Sequence, residues 1–149
     1  MIRLAVIDGQ GAGIGCAIIR KVRQICGNGI EIWALGANDI ATSQMMKAGA
    51  NRGATGEGAI CESVHHVDII TGSLSILICN AMMGEITPAM ATAVGASKTR
   101  KLLLPIVAEP VAVVGVKASP LPHLVERLVS EHLAAIVDEE GLDRRPGEG

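Results

Sequence analysis

Residues 8 to 15 read Asp-Gly-Gln-Gly-Ala-Gly-Ile-Gly, a carboxylate followed by four glycines at alternate positions. Glycines leave backbone N–H groups bare, and a helix opening behind them aims the positive end of its dipole at the same point. A turn of this kind holds an anion. A small phosphorylated ligand is therefore expected against Gly9, Gln10, Gly11, Gly13, Ile14 and Gly15. No Gly-Lys-Ser/Thr follows the glycines, which excludes a P-loop, and a strict Gly-x-Gly-x-x-Gly is absent as well. Asp8 would repel a pyrophosphate. It either caps the turn through backbone N–H groups, or faces a magnesium ion or a substrate hydroxyl as the first acid/base candidate.

Two further groups could carry protons. Glu57, in Thr55-Gly56-Glu57-Gly58, is placed as a general base, a metal ligand or a helix-start carboxylate favoured by the dipole. His123, between Pro122 and the last helix, is the one imidazole suited to acid/base work. His65 and His66 read as a solvated loop pair, so no metal site is expected. Thr71, Gly72 and Ser73 offer a second set of hydroxyl and N–H donors. A dinucleotide site usually places an Asp or Glu about 20 residues beyond its glycines to hold the ribose hydroxyls. That place falls at Leu35 and Gly36, leaving Asn38, Thr42 and Ser43 to bond a ribose or its 2′-phosphate, with Arg52 or Lys47 as charge partners.

The elements that must position these groups follow from apolar periodicity and turn residues. Strands are expected over 2–7, 30–35, 52–54, 67–71, 101–104 and 111–116. Helices are expected over 13–26, 40–48, 57–63, 87–94 and from Pro120 or Pro122 to Val137, while 73–83 fits either a buried helix or a strand, with helix preferred because the strand at 67–71 needs a crossover before the next parallel strand. Alternating strands and helices imply an α/β fold: a Rossmann-like, doubly wound, mostly parallel sheet in three layers, one domain over 1–137. Residues 138–149, rich in charge, Gly and Pro, read as a flexible tail. In such folds ligands sit at the carboxyl ends of the strands, which is where the glycine turn and the Thr71-Gly72-Ser73 turn both fall.

Composition narrows the partners. With Trp33 the lone aromatic and a formal charge of −2, the chain has neither rings to stack bases on nor a basic field, so nucleic acid is not expected. The most apolar stretch, 102–116, is broken by Pro105, Glu109 and Pro110, which rules out a membrane span there. Cys16, Cys26, Cys61 and Cys79 never form a Cys-x-x-Cys pair and read as buried free thiols of a cytoplasmic protein. Met1 leads directly into a strand, with no leader pattern. The apolar helix predicted near Met82 to Val94 is a face on which a homo-oligomer, first a dimer, would form.

The spacing Gly9-x-x-x-Gly13-Ile14-Gly15 resembles the cofactor turn of short-chain dehydrogenases, which implies NAD or NADP. That family's proton-transfer pair is a Tyr with a Lys four residues on, and this chain has no Tyr. Over about residues 1–130 the chain also resembles a short, uncharacterised bacterial family of Rossmann-like proteins opening with Ile-Asp-Gly-Gln-Gly-x-Gly-Ile-Gly. Further matching stretches are 34–38, 47–50, 53–57, 84–88 and 120–123. The expectation is a nucleotide- or dinucleotide-binding protein whose reaction stays open. The alternatives are a non-catalytic nucleotide-sensing oligomer and a magnesium-dependent phosphate-ester enzyme built on Asp8.

Overall fold

The computed structural model describes residues 1–143. Five strands, β1 (Ile2–Asp8), β2 (Ile30–Gly36), β3 (Arg52–Thr55), β4 (Ile69–Ser73) and β5 (Arg100–Leu104), form one sheet in the order β3-β2-β1-β4-β5. Every pairing is parallel. Parallel strands covered on both faces need continuous apolar runs, and β1 buries all of its residues but Arg3.

Helices α1 (Gly13–Cys26) and α2 (Asp39–Ala48) cover one face, joined by the run from α5 (Leu121–Arg127) through a π-helical segment at 128–133 into α6 (Ala134–Asp143). Helices α3 (Glu57–Ser63) and α4 (Pro88–Ala96) cover the other. The reversal of direction after β3 puts the two sets on opposite faces, as right-handed crossovers require. The fold is therefore the expected single three-layer α/β domain. The strand order reverses between β1 and β4, and the register sets Val6 opposite Thr71. Asp8 and Ser73 thus end their strands at one level, on either side of the crevice where such folds take ligands.

Four expectations change. The helix preferred over 73–83 is a single 3₁₀ turn at Leu74–Leu77, with Ser73 ending β4, because Asn80, Met82, Met83 and Gly84 adopt positive φ and a right-handed helix cannot contain them. Residues 111–116 form no strand; the Val111 amide turns back onto Ala108 O, and Pro105 and Pro110 remove ladder donors. Strand β4 starts at Ile69 rather than Val67, since the Asp68 carboxylate takes the Arg3 amide, and it runs on to Ser73. Helix α6 continues past Val137 to Asp143, and the rest of the expected tail lies outside the described residues.

On α4, Met90, Ala91 and Val94 pack on the sheet. The four thiols are free, but of them Cys16 alone is buried; Cys26 and Cys61 are partly buried and Cys79 is exposed. No described helix is long and apolar enough to cross a membrane.

Candidate functional site

The first glycine turn is built around Asp8. Only 6% exposed, its carboxylate accepts the Gly9 amide through Oδ1 at 2.8 Å and the Gly15 amide through Oδ2 at 2.7 Å. One side chain thereby ties the end of β1 to the first turn of α1, whose N-cap residue, Ala12, has no capping side chain. Burial pushes the Asp8 carboxyl above its ordinary range; the two amides pull it down and the charge of Glu85 pushes it further up. Asp8 therefore takes the turn-capping role left open by the sequence, with both oxygens spent on backbone donors.

A second carboxylate, which the sequence reading missed, closes over the same turn. Glu85 accepts the Gln10 amide through Oε1 at 2.5 Å, while Asn38 Nδ2 donates to Oε1 at 3.2 Å and to Oε2 at 2.9 Å. Asn38 also donates to Gln10 O and, through Oδ1, accepts the Ala41 amide as N-cap of α2. Glu85 lies so close that a Cβ on Gly9 would stand 2.6 Å from Oε1. A side chain there would displace the Glu85 carboxylate and the Met82 thioether, whose sulfur would stand 2.9 Å away. Gly84-Glu85 between turn residues, set beside the missing carboxylate at the end of β2, was the signal available in the sequence.

Glu85 rides on a loop, 78–87, held in an unusual conformation. The Asn80 amide bonds Ile86 O, the Ile86 amide bonds Ala81 O, and the Ile86 side chain is fully buried. At the loop's end Thr87 caps α4 through the Met90 amide and donates to Glu57 at 2.6 Å. Among the described residues every non-glycine with positive φ lies in this loop (Asn80, Met82, Met83) or in the glycine turn facing it (Gln10, Ala12). Left-handed conformations in non-glycine residues cost about 1–3 kcal/mol each and gather where a surrounding structure dictates a shape.

The expected anion cradle is thus partly filled from within. The amides of Gly9 and Gly15 serve Asp8, that of Gln10 serves Glu85, and that of Ala12 serves Gly9 O. Gly11, Gly13 and Ile14 keep amides that make no hydrogen bond to the described residues.

The remaining candidates are distributed unevenly. Gly72 sits under the crevice with no room for a Cβ, which would meet Ile7 O at 2.6 Å, while the Thr71 hydroxyl is taken by Leu102 O. Ser73, itself buried, ends β4. The Thr42 hydroxyl bonds Thr55, Ala54 O and Asn38 O, so it braces α2 against β3, and Ser43 faces solvent. Arg52 stacks on the Trp33 ring at 4.8 Å. Glu57 and His123 head helices of opposite layers, and no hydrogen bond joins either of them to Asp8. The three acid/base candidates do not form one constellation. No cluster of three metal-ligating side chains occurs among the described residues.

Comparison with known proteins follows this geometry. Residues 3–137 match the model of a family described as a domain of unknown function, DUF3842. The chain belongs to that family. No curated protein matches it. Among solved structures it is similar to a dodecameric FMN-dependent UbiX-like decarboxylase from Escherichia coli O157:H7, with 13% identity and a TM-score of 0.43, over 95% of this chain and 94% of that one.

Proposed function

We propose that the protein binds a nucleotide in the crevice between β1 and β4, with phosphate oxygens on the amides of Gly11, Gly13 and Ile14 and the ribose hydroxyls on Glu85. The observation that carries this is the pairing of three open amides at the start of α1 with a carboxylate held at the end of β2 by Asn38. Dinucleotide sites use the same two features, an anion-binding helix start and an acidic group for the ribose diol. Here the acidic group comes from the loop after β4 and reaches across.

NAD is the first candidate, and the chain's own residues argue against NADP. A 2′-phosphate would meet the Glu85 charge, while Arg52 is engaged on Trp33. A bound nicotinamide would supply hydride chemistry; the protein's part is to hold phosphate and ribose. Sensing without turnover is the second reading. It is supported by the commitment of Asp8 to the turn, the bond of Glu57 to Thr87 and the position of His123 on the opposite layer. A magnesium-assisted reaction on Asp8 draws no support from a carboxylate whose oxygens both accept amides.

Thermal shift and calorimetry against NAD, NADP, ATP, S-adenosylmethionine and sugar phosphates, with and without magnesium, test the proposal. A 2′-hydroxyl nucleotide at a hundredfold excess over its Kd adds about 2.7 kcal/mol of stability. NAD should bind at least about tenfold more tightly than NADP, a difference of about 1.4 kcal/mol, and Glu85→Gln should narrow that gap. Failure of every nucleotide to bind, to wild type and to Glu85→Ala alike, would overturn the reading.

A further inference from the structure

Beyond the carboxyl end of β5 lies a groove that shares no residue with the glycine turn. Its first part, 430 Å³, runs from Leu104 to the π-helical segment, which contributes Leu128 and His132. The adjoining part, 320 Å³, is walled by Ile106, Val107 and Val113. The two parts share Pro105, Val116, Lys117, Ser119 and Leu124, so they adjoin as one open surface groove.

The charge in this groove is one-sided. Lys117 and Arg127 line the first part together with the polar ring of His132, and no carboxylate lines either part. Arg127 reaches Glu131 only at 3.5 Å on exposed surface, a contact of little energy, and no described carboxylate pairs with Lys117 or His132. The other part presents aliphatic side chains with Lys117 as its only charged group. A π-helical turn inside a helix is also a frequent mark of a functional surface.

We propose that this groove binds an anionic amphiphile, its carboxylate or phosphate head against Arg127, His132 and Lys117 and its apolar chain along Ile106, Val107 and Val113. Lys117 and Arg127 supply charge-assisted hydrogen bonds for the head, His132 adds a ring N–H, and exclusion of water from aliphatic walls holds the chain. The site is independent of the nucleotide reading, since it uses other strands and other residues.

The test compares decanoate with decanol and decyltrimethylammonium, each below its micelle concentration, on the whole protein by calorimetry and methyl NMR. Decanoate should bind at one site roughly tenfold more tightly than the other two, one charge-assisted contact being worth about that factor. Methyl shifts should concentrate on Val113, Val116 and Leu124. Arg127→Gln with His132→Gln should weaken decanoate about tenfold and leave decanol unchanged. Lys117→Gln, on an irregular segment, provides the same test if the helical pair melts early. Equal binding of the three amphiphiles, shifts elsewhere, unchanged decanoate affinity in both variants, or a chain that self-associates through the groove regardless of decanoate would overturn the proposal.

Discussion

Asp8→Asn tests the organisation of the whole site. In the wild-type protein both carboxylate oxygens accept buried amides, Gly9 at 2.8 Å and Gly15 at 2.7 Å. Asparagine keeps one acceptor and turns an NH₂ toward the other amide. A buried donor left unpaired costs about 1–3 kcal/mol, and the lost charge adds to it because hydrogen bonds to charged groups are the stronger ones. Relief from burying a charge, the largest influence on this carboxyl, offsets the loss of charge, so the unpaired amide sets the cost and a net loss of about 2 kcal/mol is expected at neutral pH. For a domain of this size that lowers Tm by roughly 4–8 °C.

The pH dependence has a definite sign. The carboxyl titrates above its ordinary range in the folded state, chiefly through burial. Stability from its protonation is complete below the unfolded carboxylate range and is lost as pH rises through the folded value. Asparagine has no such proton to bind, so the penalty of Asp8→Asn grows as pH falls through that window. Urea and thermal unfolding followed by circular dichroism from acid to neutral pH measure both effects. An Asp8→Asn protein within about 0.5 kcal/mol of wild type, with a parallel pH profile, would refute the capping role and with it the account of the turn.

Other outcomes are expected from the same geometry. Gly72→Ala should cost about 3 kcal/mol or more, because its Cβ would meet Ile7 O at 2.6 Å and that backbone lies in the central strand. Gly11→Ala, where nothing lies within 4 Å of the added carbon, should unfold within about 0.5 kcal/mol of wild type in the same urea titration. Asn38→Ala removes the α2 cap and the anchor of Glu85, so about 1–2 kcal/mol should be lost and hydrogen exchange across 78–87 should quicken; unchanged exchange would show that Asn38 does not hold the loop. Gly9→Ala should be destabilising alone and less so in a Glu85→Ala background, where the 2.6 Å contact is gone and the Met82 Sδ contact at 2.9 Å remains; full additivity in the double-mutant cycle would disprove the Glu85 contact.

Much of this protein can be read along the chain because its signals are local. Strands rich in apolar residues ending at Asp8, Gly36 and Leu104, helices stopped by glycine, and the Thr87-Pro88 helix start each depend on neighbours in sequence. Alternation of strand and helix then implies the parallel sheet, and the glycine turn marks the strand end that matters. The errors at 74–83 and 111–116 share a cause. Apolar composition says that a segment is buried or covered, but not whether left-handed residues or prolines will deny it a regular ladder.

What the tertiary structure alone decided is which partners those local features meet. Glu85 lies 75 residues from Gln10 and 47 from Asn38, and no spacing rule brings it to the glycine turn. Only the reversal of strand order between β1 and β4 sets the two loops face to face. A carboxylate's function follows from the donors around it. In Asp8 and Glu85 those donors are backbone and amide groups gathered by folding, which a linear sequence does not display.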